Sequence, residues 1–212
     1  MPSGITKRGA VHRGPNILRV TTIARGLARQ KGHSLNRSNS DFNRALIDYM
    51  PWHKIVAKEM KKLEGMTIVH LGASTGIYTR FLQDKGANAT ALDVTHDAAE
   101  ISKAIGNRRP VRANARQLPF REGSLDAIIS DHFLFSGYLD LEENILASSH
   151  VSIDILGGLS KLLRPGGKIF MNRAHFFTLE NQKAVFNGFS CKRKSYTAGD
   201  GRNQILLVLT KK

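Results

Sequence analysis

The chain has 212 residues, 41% of them hydrophobic, with 32 Lys/Arg against 17 Asp/Glu and a formal net charge of +15. That length buries one ordinary core, and no stretch approaches the eighteen or so unbroken apolar residues of a membrane-spanning helix. Cys191 is the single cysteine, and the eight histidines show no pair at metal-binding helical spacing, so an internal disulfide and a cysteine metal cluster are excluded and no structural metal is expected.

The charge is uneven. Residues 1–40 hold eight Lys/Arg and no acid, interspersed with Gly, Pro, Ser and Asn, a composition that buries too little apolar surface to order by itself. Three readings stay open for this arm. It can track a polyanion such as RNA, since each phosphate contact releases counterions. It can be a mitochondrial targeting segment, because "NILRVTTIARGLARQ" sets Ile17, Val20, Ile23, Ala24 and Leu27 near one helical face among arginines. It can be a solvated tail. A cytoplasmic location is expected from the reducing-compartment cysteine usage, with the mitochondrion as the alternative if the arm is a targeting signal.

A single domain is expected over 41–212. Residues 41–64 predict one or two helices: Pro51 suits a first turn, and Trp52, Ile55, Val56 and Met60 recur at a 3.6-residue rhythm that stops at Gly65. "MTIVHLG" predicts a strand, followed by a helix over about 76–85. "ATALDV" is a strand, "HDAAEISKAIG" a helix, "RPVRAN" a short strand and "LDAIIS" an apolar strand. "VSIDILGGLSKLL" is then a helix and "GGKIFMNRA" a further strand. Strands alternating with helices imply an α/β, doubly wound, mostly parallel sheet covered on both faces. The end differs: "FSCKRKSYT" and "NQILLVLTKK", split by "AGDGR", predict an antiparallel hairpin.

Ligands of such sheets bind beyond the carboxyl ends of the strands, where the strand order reverses. "VHLGASTGIY", Asp93, Asn114 and "SDHF" all sit at such ends. A dinucleotide fold wants G-x-G-x-x-G with room for a pyrophosphate, but the chain has Gly72, Ser74 and Ile77 in that series. The missing glycines count against a pyrophosphate ligand.

Gly72 and Gly76 instead fit a looser loop that resembles motif I of the class I S-adenosylmethionine-dependent methyltransferases. "NARQLPFREGSLDAIIS" and the later "LLRPGGKIFM" extend the likeness, over about 65–173, to the type 11 methyltransferase family. The resemblance implies a Rossmann-like, seven-stranded sheet with an antiparallel last strand, and S-adenosylmethionine as cofactor. It implies that the turn Gly72, Ala73, Ser74 and Gly76 faces the methionyl part, and that Asp93, with Val94 beside it, takes the ribose hydroxyls. Asn114 and Ala115 would flank the adenine, and Ser130 and Asp131 would close the site near the methyl group. His70 stands where the family has an acid that helps hold the cofactor's amino group, and Ser74 replaces a usual glycine.

Structural roles compete at each position. Asp93 can form a turn or cap the helix near Thr95, Asn114 can cap the following turn, and His70 can be a core histidine. Asp131, His132 and Tyr138 are the candidate proton acceptors or orienting groups for transfer, or the loop that holds them merely caps its strand. The long loop 132–150, with Phe133, Phe135, Tyr138 and Leu139, is expected to form the acceptor pocket. RNA is the favoured acceptor, brought by residues 1–40 and by Arg108, Arg109, Arg112 and Arg116. A small-molecule acceptor and an inactive RNA-binding or assembly scaffold are the alternatives.

Overall fold

The computed structural model describes residues 54–131, 155–172, 188–198 and 201–212, together with the single positions 22, 26, 27 and 52. The rest of the basic arm, the expected helix before Pro51 and the aromatic loop 132–150 lie outside the described residues.

Seven strands form one sheet: β1 (Thr67–Leu71), β2 (Asn88–Asp93), β3 (Val111–Arg112), β4 (Leu125–Asp131), β5 (Leu163–Asn172), β6 (Phe189–Thr197) and β7 (Asn203–Lys211). Their order is β3-β2-β1-β4-β5-β7-β6. β1 pairs in parallel with both β2 and β4, and β4 with β5. β7 runs antiparallel to β5 and to β6, so the terminal hairpin inserts its second arm next to the parallel part. The order reverses between β1 and β4, which fixes where a ligand crevice opens.

The helices are α1 (residues 54–60), α2 (Ile77–Asp84), α3 (His96–Ala104) and α4 (residues 155–162). Alternation of side chains along the strands divides two apolar layers. Val69, Leu71, Ile128, Ile169, Met171 and Leu209 meet Leu156 and Leu159 of α4 on one face. Ile68, Ile129, Phe170 and Val208 meet Val56 of α1 and Tyr78 and Leu82 of α2 on the other. Trp52, Val56 and Met60, spaced by four, are the buried stripe of the segment containing α1.

Two boundaries differ from expectation. α1 ends at Met60, before the expected stop at Gly65, because Lys61 turns left-handed at φ 61. Gly65 instead serves the sheet, since its N–H donates to the Gly86 carbonyl at 2.9 Å and closes the entrance to β1 against the entrance to β2. β5 starts at Leu163, ahead of the Arg-Pro-Gly-Gly run, and a register shift lies between the Leu125–Leu163 and Ala127–Lys168 pairs. The irregularity brings Arg164 to Asp126 (2.6 Å), whose other oxygen accepts the Thr67 N–H at 2.6 Å. One carboxylate thus ties the starts of β1, β4 and β5 together.

Candidate functional site

The turn after β1 is built from left-handed residues. Gly72, Ser74 and Gly76 have φ of 63, 49 and 73, and for Ser74 that conformation costs about 1 kcal/mol. The Gly76 N–H closes the turn on the Ala73 carbonyl (2.8 Å), and the Ala73 N–H ties it to the Leu92 carbonyl of β2 (3.0 Å). The amides of Thr75 and Ile77, at the start of α2, find no acceptor among the described residues. Gly76 is a glycine for a reason other than ligand approach. A Cβ there would collide with Ser102 Oγ and Asn107 Nδ2, and the same Asn107 nitrogen donates to the Gly76 carbonyl and to Ser102 Oγ, both at 2.9 Å. The side of Gly76 that a Cβ would occupy therefore backs onto α3, so packing and not ligand approach requires the glycine.

Asp93 stands at the tip of β2, facing that turn. Its Oδ2 accepts the Ser74 N–H at 2.9 Å, while Oδ1 accepts the Thr95 N–H and hydroxyl, each at 3.0 Å. The turn-forming role is thus real, and the helix cap proper is Thr95. Val94, next along, is 58% exposed, the one exposed large hydrophobic residue among those described. Its carbonyl accepts from Arg112 Nε at 3.1 Å, and Arg112 is in register with Asp93 across β2 and β3.

His70, near the end of β1, is 1% exposed. Nδ1 lies 3.1 Å from Thr79 Oγ1, and the ring meets Tyr78 edge-on with centroids 5.4 Å apart. Nε2 has no hydrogen-bond partner among the described residues. Burial pushes the imidazole down to about 4, against a smaller upward pull from the Asp93 carboxylate, so it is neutral at pH 7. A neutral ring in this place does not repel a cation.

Asn114 Oδ1 accepts the Arg116 N–H at 3.0 Å, the capping role open from the sequence. Ala115 is buried in the α4-side core. Ser130 is buried near the end of β4, in register with Leu71. The backbone of Asp131 ends β4, while its side chain, His132 and Tyr138 lie outside the described residues. Of the four arginines assigned to RNA, Arg108 donates to the Gln83 carbonyl at 3.1 Å and Arg112 to Val94, so part of each guanidinium is already engaged. Cys191 lies on β6, where partial burial pushes its thiol up and away from nucleophile chemistry.

Several residues of the crevice carried no sequence signal of their own. Thr79, Asn107 and Arg112 act through partners nine or more positions away. Asn172, at the tip of β5 and in register with Asp131, accepts the Tyr196 hydroxyl at 2.5 Å. It ends an apolar strand as Asp93 and Ser130 do, so the strand-tip rule applied to one more strand finds it.

A seven-stranded sheet in this order, with a glycine turn after β1 and a carboxylate at the tip of β2, defines the class I methyltransferase fold. A family model described as "Methyltransferase domain" matches residues 69–171, just under half of the chain, and that stretch and the fold support a class I S-adenosylmethionine-dependent methyltransferase assignment. It is 28% identical over 143 residues to the ubiquinone/menaquinone biosynthesis C-methyltransferase UbiE of Vibrio vulnificus, which covers 63% of this chain and 48% of that one. The chain spans less than half the length of the curated relatives it matches, 28% and 48% of the first two. Among solved structures it is similar to the PH0226 protein from Pyrococcus horikoshii OT3, with a TM-score of 0.60, 15% identity, and 77% of this chain and 89% of that one covered. It is also similar to geranyl diphosphate C-methyltransferase from Streptomyces coelicolor A3(2), crystallised with S-adenosyl-L-homocysteine, with a TM-score of 0.56, 14% identity and 74% of each chain covered.

Proposed function

We propose that the chain transfers a methyl group from S-adenosylmethionine to an RNA acceptor. The observation that carries the cofactor half is the facing pair of the left-handed turn and Asp93, with an exposed apolar side chain at Val94 between β2 and α3. The residues fit the cofactor. A carboxylate offers about four acceptor positions, and Asp93 uses three of them on Ser74 and Thr95. Swinging the Thr95 hydroxyl away frees the second position that a ribose diol needs. Val94 supplies an apolar surface for the adenine, with Asn114 and Ala115 on its other side. The unengaged amides of Thr75 and Ile77 suit the cofactor's carboxylate. His70, neutral, receives or gives one hydrogen bond at the amino-acid end in place of the usual acid.

S-adenosylmethionine, when bound, supplies a methyl on a positively charged sulfur that is already activated for in-line transfer. The chain then mainly orients, a contribution of up to roughly 7–11 kcal/mol in well-aligned systems. Ser130 and Asp131 close the site beside the methyl, and Asp131, His132 and Tyr138 are the groups proposed to accept a proton from the acceptor where it must lose one.

The RNA half is supported by the net charge of +15 and by Arg109 and Arg116, which stand near the short strand β3 with no side-chain partner among the described residues. A small-molecule acceptor is the second reading, favoured by the likeness to UbiE. Calorimetry of the cofactor with the wild type and with Asp93→Ala tests the cofactor half. Binding by the wild type that the substitution abolishes supports it, and a folded wild type that gives no heat of binding leaves the scaffold reading in its place.

A further inference from the structure

We propose that the surface formed by α1 and the edge strand β6 binds the phosphate backbone of a nucleic acid. The proposal deepens the RNA reading and rests on it for the identity of the ligand, but it assigns a surface remote from the arginines near β3. The strand order leaves β6 on the outer edge of the sheet. Lys192 is exposed there, in register with Val208 of the α1-side layer, and has no ion-pair or hydrogen-bond partner among the described residues. Lys54 and Lys58 are exposed on α1, with Lys61 and Lys62 directly after it. Lys194 of β6 and Lys168 of β5 each lie 3.5 Å from Glu59 of α1.

Among the described residues, two acids, Glu59 and Glu64, pair with these seven cations. Glu64 pairs with Lys62 at 3.3 Å. Glu59 is spent at the centre: burial pushes its carboxyl up, yet the fields of Lys168, Lys192 and Lys194 together hold it below the usual carboxylate range. Lys168, Lys192 and Lys194 therefore converge on Glu59, and the exposed lysines on and just after α1 add to the positive surplus of this side of the molecule. Charges on an edge strand also guard against edge-to-edge pairing. That guard needs nothing from α1, so it leaves the convergence unexplained.

The ligand class follows from what is missing between the charges. A helix that lies on anionic lipid presents Trp, Phe or Leu for insertion, whereas the exposed large hydrophobic residue among those described is Val94, on the loop between β2 and α3. Phosphate contact needs only the cations. The β3 edge, with Arg109 and Arg116, lies six strand spacings away, about 29 Å, so the two basic edges can be altered independently.

Fluorescence anisotropy of a labelled single-stranded RNA with the full chain, titrated with salt, separates the possibilities. Each phosphate contact gives about a fivefold gain at about 0.1 M salt relative to 1 M, so Lys58→Ala with Lys192→Ala should weaken binding about 25-fold and flatten the salt slope by about 1.4. Arg109→Ala with Arg116→Ala, at the other basic edge, should weaken binding by a similar factor on its own, the two losses multiplying in the quadruple variant. If the second pair carries the loss and the first does not, this surface is wrong and the RNA reading stands. If the wild type binds no RNA at low salt, or binds phosphatidylserine-rich vesicles and no RNA, both fall, while the calorimetric result for the cofactor is untouched.

Discussion

His70 makes the stability of this fold depend on pH. In the unfolded chain the ring titrates near 6.5, and in the fold burial lowers it to about 4. Between these values the unfolded state holds a proton that the folded state refuses, so stability is complete above pH 6.5 and is lost as the pH falls toward 4. From pH 7.5 to pH 4.5 the two values give a loss of about 2.5 kcal/mol. Glu59, whose carboxyl is also depressed, adds its own loss only below its unfolded value of 4.5. Urea unfolding at pH 7.5, 6.0 and 4.5 should therefore show a fall for the wild type that is absent from His70→Gln, whatever that substitution does to stability at pH 7.5. Parallel curves for the two proteins would refute the burial of a neutral ring at this position.

Two further substitutions test the frame around the site. Gly76→Ala forces a left-handed alanine against Ser102 and Asn107 and should cost about 3 kcal/mol, a fall in melting temperature of about 6–12 °C, with part regained by adding Ser102→Ala. An unchanged melting temperature would mean that α3 does not back onto the turn. Asp126→Ala removes the common acceptor of Thr67 and Arg164 and should lower stability by about 2 kcal/mol in denaturant unfolding, whereas Arg164→Ala should cost less, since the arginine is 54% exposed and partly screened.

The order of elements was legible because it rests on local pattern. Apolar strands bounded by glycine, a helix-period stripe at Trp52, Val56 and Met60, and a Gly-containing turn between the last two strands are all properties of short windows. The candidate strand-tip residues were legible for the same reason: Gly72, Asp93, Asn114 and Ser130 each follow an apolar run. What the sequence hid depends on distant partners. Arg112 reads as a free cation, because nothing near it reveals that its Nε meets the Val94 carbonyl. Gly76 reads as a ligand-facing glycine, because the side chains that exclude a Cβ come from Ser102 and Asn107, 26 and 31 residues later. The end of α1 is hidden since Lys61, a residue with no turn preference, takes the left-handed conformation before Gly65 is reached.

The central claim is that one phosphate-free nucleoside sits between the turn after β1 and the tip of β2. A crystal of the chain soaked with S-adenosylhomocysteine tests this most directly. The account predicts ribose hydroxyls on the Asp93 carboxylate, the Thr95 hydroxyl turned away from it, and the adenine over Val94. Density for the nucleoside at any other place, with Asp93 still holding both Ser74 and Thr95, would contradict it.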